Sequence, residues 1–159
     1  MSEVPEGVDL SGFVRKPPRP TATMTLSRDG PKGPEVLLGL RSETMAAFPG
    51  YWAFTGGGVS RVDTAAVESF SVLDVEHGKF IACILRETCE ELGVAPNGDH
   101  VISIDENARF DVIKDKANWL PHAEDCNIPV NTDNINILGH RITPPFGPVQ
   151  FDNAFIHFH

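Results

Sequence analysis

The chain is most informative at Arg86-Glu87-Thr88-Cys89-Glu90-Glu91-Leu92-Gly93-Val94, a segment that comes after the glycine triplet Gly56-Gly57-Gly58. Successive residues of a helix are turned by about 100°, so Glu87, Glu90 and Glu91 share one face. Clustered carboxylates repel one another unless a positive ion is drawn among them, and Mg²⁺ prefers carboxylate oxygens as ligands. The segment therefore predicts a divalent-metal site on one face of a helix.

The residues around these acids favour a helix that is packed on its other side. Apolar or small residues are spaced for burial on the opposite face, at Ile81, Ile84, Leu85, Thr88 and Leu92. Gly93 stands where helices commonly end in a left-handed residue. We therefore expect a helix over residues 79–92 whose acids face a groove; an acidic face that is merely solvated is the alternative.

The spacing R-E-x-x-E-E-x-G in residues 86–93 resembles the core of the Nudix box. The chain thus resembles the Nudix hydrolases, which cleave nucleoside diphosphates linked to another moiety. The resemblance implies that Glu90 and Glu91 bind the metal and that Glu87 is a further metal ligand or the general base. It also implies a catalytic role for Arg86, which would orient a carboxylate through charge-assisted hydrogen bonds.

The glycine triplet and the overall architecture follow from the same resemblance. Gly57 is expected to give its carbonyl oxygen to the metal, while Gly56 and Gly58 let a substrate phosphate approach the backbone. The implied fold is an α/β Nudix fold, with a mixed β-sheet sandwiched between α-helices. We place this domain at residues 21–159, after an extended, proline-containing arm formed by residues 1–20.

The chain departs from the usual Nudix box in three ways. The box has a glutamate eight residues before its arginine, where this chain has Gly78, and Thr88 replaces a bulky aliphatic residue. The glycines are also separated from the helix by an insertion from Val59 to Lys79. We expect the insertion to be a flexible loop at the rim of the site, because it has no sustained period.

Two other segments resemble a Nudix branch that includes the peroxisomal coenzyme A diphosphatases. Residues 140–155, HRITPPFGPVQFDNAF, are similar to the pattern W-I-T-P-P-x-x-P-x-x-F-D-x-x-F. Residues 37–57 keep the spacing of a coenzyme A signature that includes Arg41, but Ala46 replaces its second arginine. Coenzyme A or acyl-coenzyme A therefore competes with ADP-ribose and dinucleotides as the expected substrate.

Three residues in these segments are candidates for substrate binding. Arg41 can meet a phosphate, and Trp52 can stack on an adenine, although aromatic residues of a strand are often core. Asp152 either positions a loop over the site or has a turn or capping role. The expected ligand is a small-molecule nucleoside diphosphate derivative.

Composition limits the partners and the compartment. The 159-residue chain has a net charge of −9, which argues against nucleic acid or anionic membrane as a partner. An anionic substrate then needs a bridging cation, with Mg²⁺ expected and Mn²⁺ as the alternative. The cysteines show no C-x-x-C pairing, and the N-terminus has no signal-peptide core, so we expect reduced thiols in a cytoplasmic protein.

The last predicted strand raises a question of cover. Strands are predicted at residues 21–28, 35–41, 51–54, 101–104, 135–143 and 151–159, with a short helix within residues 105–133. The final strand carries apolar groups on both faces, at Phe151, Phe155, Ile156 and Phe158. Either the natural protein continues past His159 into a covering helix, so that this chain is truncated, or two chains exchange cover in a homodimer.

Two classes of function remain in view. The leading hypothesis is Mg²⁺-dependent hydrolysis of the pyrophosphate bond in a nucleoside diphosphate derivative. The alternative is a non-catalytic module of the Nudix fold that binds a nucleotide or a partner. The intact Glu87, Glu90 and Glu91 favour the enzyme.

Overall fold

Strand β1 (Arg19–Gly30) organises a mixed β-sheet. The computed structural model describes residues 6–7, 9, 17–45, 48–67, 75–115, 119–144 and 149–159. Most of the expected N-terminal arm lies outside these residues, but Arg19 and Pro20 belong to β1 rather than to an arm. The elements that follow β1 are β2 (Gly33–Val36), β3 (Gly39–Leu40), β4 (Trp52–Ala53), β5 (Thr55–Gly58), α1 (Arg61–Ala66), α2 (Val75–Leu92), β6 (Val94–Asn97), β7 (His100–Ser103), α3 (Glu106–Lys114), α4 (Trp119–Asp125), β8 (Ile135–Ile142) and β9 (Phe151–Phe158).

The main sheet has the strand order β2-β1-β9-β8, with β5 on the same edge of β1 as β2. The β1–β9 pair is parallel, whereas β1–β2, β1–β5 and β8–β9 are antiparallel. This mixed sheet with helices confirms the predicted α/β fold class. Two small hairpins, β3–β4 and β6–β7, lie beside it.

Helix α2 packs on one face of the sheet because both elements are apolar there. Ala22 and Met24 of β1 and Ile156 of β9 are buried on this face, together with Phe80 and Ile84 of α2. Burying one large apolar side chain contributes about 1.5–3 kcal/mol, so this contact is a principal source of stability. Helices α1 and α3 pack against α2, and α4 packs against α3.

The structure corrects several expectations about the elements. The strand expected over residues 35–41 is wrong, since β2 ends at Val36 and β3 is a separate short strand. The expectation that the insertion is a loop is also wrong for residues 59–67 and 75–79, because they contain α1 and the first turn of α2. Residues 68–74 of the insertion lie outside the described part of the chain. Helix α2 therefore begins four residues earlier than the predicted Lys79.

Strand β9 lies inside the sheet, between β1 and β8. Its Ala154, Ile156 and Phe158 are buried on the α2 face, while Phe151 and Phe155 line a cleft on the other face. Cover of that second face, by a continuing chain or a second copy, stays a prediction. None of the described helices has both the length and the apolar character needed to cross a membrane.

Candidate active site

Arg86 lies at the centre of a buried ion-pair network. Its Nε donates to Asp63 Oδ1 at 2.8 Å and its Nη2 donates to Asp63 Oδ2 at 2.9 Å, which is a bidentate pair. Its Nη1 donates to Glu87 Oε1 at 2.9 Å and to Glu90 Oε1 at 3.1 Å. The side chains of Arg86 and Asp63 are 3% and 0% exposed. Arg86 was expected to orient a carboxylate, and it contacts the carboxylates of Glu87 and Glu90.

Asp63 reaches this network through the cap of helix α1. Ser60 is the N-cap residue: its Oγ accepts from the backbone N–H of Asp63 at 3.4 Å, and Asp63 Oδ2 accepts from the backbone N–H of Ser60 at 2.8 Å. Sequence reasoning missed Asp63 because it counted back from Arg86 to Gly78. The spacing Ser60-x-x-Asp63, which is typical of a helix start, is the signal that could have found it.

Glu87 faces the glycine strand β5 at Gly57. The carboxylate of Glu87 occupies the space that a Cβ on Gly57 would fill, so a glycine is needed at this close approach. Burial raises the pKa of Glu87 above its usual range; the guanidinium of Arg86 opposes this shift, and the charge of Glu90 adds to it. The carbonyl oxygen of Gly57 accepts a weak hydrogen bond from Cys83 Sγ at 3.7 Å on the α2 side of the strand.

Glu91 bridges α2 to the start of β5. Its Oε2 accepts from Thr55 Oγ1 at 2.6 Å and from the backbone N–H of Gly56 at 3.1 Å. Glu90 is buried and turned toward Arg86 instead. Of the three carboxylates that were predicted to bind the metal, Glu87 and Glu91 thus contact the glycine strand, whereas Glu90 contacts Arg86.

The donor chemistry at this junction fits a hard divalent cation. Glu87 Oε2 and Glu91 Oε1 take part in none of the hydrogen bonds that these carboxylates accept from the described residues, and carboxylate oxygens suit Mg²⁺. Within the described part of the chain, however, no group of three or more His, Cys, Asp or Glu side chains is arranged to hold a metal. An ion here would therefore be held by Glu87 and Glu91, with backbone oxygens or water completing its shell.

The C-terminal end of α2 is held in place by Arg109 of α3. Its Nε and Nη2 donate to the carbonyl oxygen of Glu90 at 2.9 and 2.6 Å, and its Nη2 donates to that of Glu91 at 3.2 Å. These carbonyls have no partner within the helix, so a cation at this end is stabilising. Gly93 has a φ of 66°, which confirms the predicted glycine terminus of the helix.

A cleft of about 820 Å³ opens on the sheet face opposite α2, a volume typical of small-molecule sites. Its floor contains Gly56 and Gly58 on β5. The other polar and aromatic residues that line it are Thr21, Thr23, Arg41, Phe48, Phe54, Arg141, Thr143, Phe151, Asn153 and Phe155. Another cavity, of about 470 Å³, lies near Ser27 and His159, and its lining does not include Glu87, Glu90 or Glu91.

The predicted substrate-binding residues are not all in this cleft. Arg41 lines the cleft, but Trp52 does not. Trp52 is 65% exposed, so neither its stacking role nor its core alternative has support here. Asp152 lies away from the cleft lining, and its Oδ1 is 3.3 Å from Nδ1 of His140. Sequence reasoning missed Arg141, since an alternating strand does not reveal which of its faces meets a helix.

Comparison with solved structures identifies the fold. The chain is similar to the crystal structure of a NUDIX hydrolase from Alicyclobacillus acidocaldarius, with a TM-score of 0.73 and 26% identity over 91% of this chain and 71% of that chain. The chain has the fold of the Nudix hydrolases. The match to the crystal structure of a MutT/nudix family protein from Enterococcus faecalis covers 98% of this chain and 39% of that chain, with 19% identity and a TM-score of 0.45. No protein-family model and no curated protein matches the sequence.

The Nudix fold is assembled here from a divided box. The glycines lie on β5, the buried acid Asp63 lies on α1, and the remaining acids lie on α2. The guanidinium of Arg86 joins α1 to α2, because it binds Asp63 of α1 at one end and Glu90 of α2 at the other. The insertion thus contributes Asp63, which contacts Arg86, and does not lie only at the rim of the site.

Proposed function

We propose that this protein hydrolyses the pyrophosphate bond of a nucleoside diphosphate derivative with the help of a divalent metal ion. The observation that carries the proposal is the meeting of Glu87 and Glu91 with the glycine strand, where Gly57 leaves room for one carboxylate and Gly56 donates to the other. The similarity to a NUDIX hydrolase structure supports hydrolysis as the class of reaction.

The residues of the chain divide the work around the scissile bond. A bound Mg²⁺ or Mn²⁺ would neutralise phosphate charge and lower the pKa of a bound water. Glu87, whose pKa is raised by burial, is better suited to accept a proton near neutral pH than an ordinary carboxylate. Arg86 holds Glu87 and Glu90 in fixed positions through its Nη1. Glu91 accepts a hydrogen bond from the backbone N–H of Gly56.

The cleft supports a nucleotide as the substrate. Arg41 can pair with phosphate oxygens, and the rings of Phe48 and Phe54 can stack on a base. Coenzyme A, acyl-coenzyme A, ADP-ribose and dinucleotides all contain such a nucleoside and diphosphate, so they form the test panel. The free cysteines Cys83, Cys89 and Cys126 support our proposal of a reducing, cytoplasmic setting.

The test is hydrolysis of this panel with Mg²⁺ or Mn²⁺, with products identified by mass spectrometry. In Glu87→Gln and Glu91→Gln, turnover should fall by orders of magnitude while the melting temperature changes little. Glu35→Gln removes an exposed carboxylate that pairs with Arg28 and serves as the matched control. Unchanged turnover in both variants would contradict the assignment of Glu87 and Glu91 to the hydrolytic site. Nucleotide binding without turnover in the wild type would instead favour the non-catalytic module.

A further inference from the structure

Thr55 is the first residue of β5 and directly precedes the glycine triplet. It pairs with Met24 of β1, which is buried in the core on the face that packs against α2. Side chains of directly paired residues lie on the same face of a sheet, so Thr55 also faces α2, and it is only 4% exposed. A hydroxyl that is buried in this way needs a hydrogen-bond partner.

The partner of Thr55 is the carboxylate of Glu91 on α2. Thr55 Oγ1 donates to Glu91 Oε2 at 2.6 Å, and the backbone N–H of Gly56 donates to the same oxygen at 3.1 Å. Hydrogen bonds to an ionised carboxylate are shorter and stronger than those between neutral groups. Two donors on consecutive residues therefore hold Oε2, and neither of these bonds involves Oε1.

Glu91 benefits from such a restraint because it is exposed near the end of α2. A free glutamate side chain samples several rotamers, and this freedom is lost when its carboxylate binds an ion. A restraint that is already present before the ion binds reduces that cost. Glu87, the other carboxylate at the glycine strand, is restrained by a different donor, because Nη1 of Arg86 binds its Oε1.

The two restraining donors differ in charge. Arg86 is a buried cation that also binds Asp63 and Glu90, so its removal disturbs the whole ion-pair network. The hydroxyl of Thr55 is neutral, so its removal leaves no buried cation or anion without its counter-ion. The contribution of Thr55 can therefore be measured separately from that of the network.

We propose that Thr55 is a positioning residue for the divalent metal ion. By holding Oε2 of Glu91, its hydroxyl keeps the carboxylate turned so that Oε1 is the oxygen that binds the ion. This inference rests on the proposed function and adds to it a residue that acts through Glu91 rather than on the substrate. Thr55 then controls the affinity for the metal and not the rate of the chemical step.

Calorimetric titration of the full chain with Mn²⁺, in the absence of substrate, tests this role. Thr55→Val keeps the branched shape of the side chain and removes its hydrogen-bond donor. Because a hydrogen bond to a charged group is lost, Mn²⁺ should bind about ten- to hundredfold more weakly. Thr55→Ala also lacks the donor and should show the same loss of affinity.

Thr55→Ser separates the hydroxyl from the packing of the side chain. Serine keeps the donor and loses a buried methyl group, so the melting temperature should fall while the Mn²⁺ affinity stays near that of the wild type. Thr55→Val should show the reverse, with a melting temperature near that of the wild type and weaker binding. If the serine variant bound Mn²⁺ more weakly than the valine variant, Thr55 would only pack β5 against α2, and the proposal would be overturned.

Thr88→Val is the matched control. Thr88 is 0% exposed, and its Oγ1 donates to the carbonyl oxygen of Ile84 at 2.6 Å within α2. The same substitution at this position removes an equally short hydrogen bond that does not involve Glu91, so the Mn²⁺ affinity should stay at the wild-type value. An equal loss of affinity in Thr55→Val and Thr88→Val would overturn the role of Thr55.

Hydrolysis distinguishes this inference from the proposed function. With a substrate that the wild type hydrolyses, the Mn²⁺ concentration for half-maximal rate should rise in Thr55→Val by the same factor as the dissociation constant, while kcat at saturating Mn²⁺ stays near wild type. A kcat that stays low at saturation would overturn positioning through the metal. A wild type that binds Mn²⁺ and hydrolyses nothing would overturn only the proposed function, and the titrations would still decide the role of Thr55. A wild type that binds no Mn²⁺ would overturn both.

Discussion

The two sides of strand β5 differ in the sign of their charge and in their exposure. On the helix side, Asp63, Glu87 and Glu90 surround the single guanidinium of Arg86, and the network is nearly closed to water. On the cleft side, Arg41 and Arg141 line an open cavity without a described carboxylate. The difference indicates that the fold itself surrounds the arginine with carboxylates on the helix side, whereas the described residues that line the open side are neutral or basic.

The largest effect is expected from breaking the closed side. Arg86→Gln leaves the carboxylates of Asp63 and Glu90 buried without their cation, and removing one partner of a buried ion pair typically costs about 3–5 kcal/mol. The free energy of unfolding, measured by urea denaturation, should fall by this amount. The exposed pair Arg28–Glu35 is the control, since surface pairs contribute about 0–1 kcal/mol. Equal losses in Arg86→Gln and Arg28→Gln would contradict the closed network.

A smaller loss is expected from Asp63→Asn, which keeps the shape of the side chain and removes its charge. Hydrogen bonds to charged groups contribute about 1.5–3 kcal/mol, so the unfolding free energy should fall within that range. Turnover should fall as well, because Arg86 would hold Glu87 less firmly. Asp29→Asn changes an exposed aspartate whose Oδ2 is 3.8 Å from Nε2 of His159, and should alter neither quantity. Full turnover in Asp63→Asn would show that α1 only packs against α2.

Gly57→Ala tests the close contact between the carboxylate of Glu87 and the backbone of β5. The new methyl group would collide with the carboxylate of Glu87, which should weaken Mn²⁺ binding about tenfold, an effect of about 1.4 kcal/mol. Gly58→Ala is the matched control, because a Cβ at that position meets no atom within 4 Å. Calorimetric titration with Mn²⁺ measures both variants. Similar affinities in the two would mean that Glu87 moves aside at no cost.

The smallest effect concerns thiol reactivity on the closed side. Burial raises the pKa of Cys83, with Asp63 adding to the shift, and burial raises that of Cys89 to about 11. A raised pKa leaves the thiol neutral at pH 8, so both residues should resist iodoacetamide. The partly exposed Cys126 should be alkylated first, as followed by mass spectrometry of the native protein. Rapid modification of Cys83 would mean that the helix side is open to solvent.

The acidic helix could be predicted because its information is local. The apolar period of α2 and the terminal Gly93 are properties of one continuous segment, and the structure keeps both. Its four additional N-terminal residues, from Val75, could not be read because the segment before Lys79 carries no sustained apolar period.

The partner of Arg86 could not be found in the same way. Asp63 is 23 residues earlier in the chain, and a search at a fixed spacing from Arg86 leads to Gly78 instead. Its burial depends on the packing of α1 against α2, which no local pattern encodes. Only the helix-start signal at Ser60 was available from the sequence.

Faces of strands were the other limit. The alternation in residues 151–158 predicts β9 correctly, but it does not say whether Asp152 or Asn153 faces α2. The buried Ala154 and Ile156 decide this by their contact with the helix, which leaves Asn153 in the cleft and Asp152 beside His140. The same ambiguity concealed Arg141.

The position of β9 between β1 and β8 also determines the order in which the protein can assemble on the ribosome. Strand β1 is synthesised before β9 and can pair with β2 and β5, but its other edge must wait for β9, whose Asn153 bonds to Thr21 across 132 residues of chain. At about 5–20 residues per second, synthesis of that length takes roughly 7–26 seconds. Throughout this interval β1 presents an unpaired backbone edge, so the nascent chain is open to strand pairing with its neighbours on the same message.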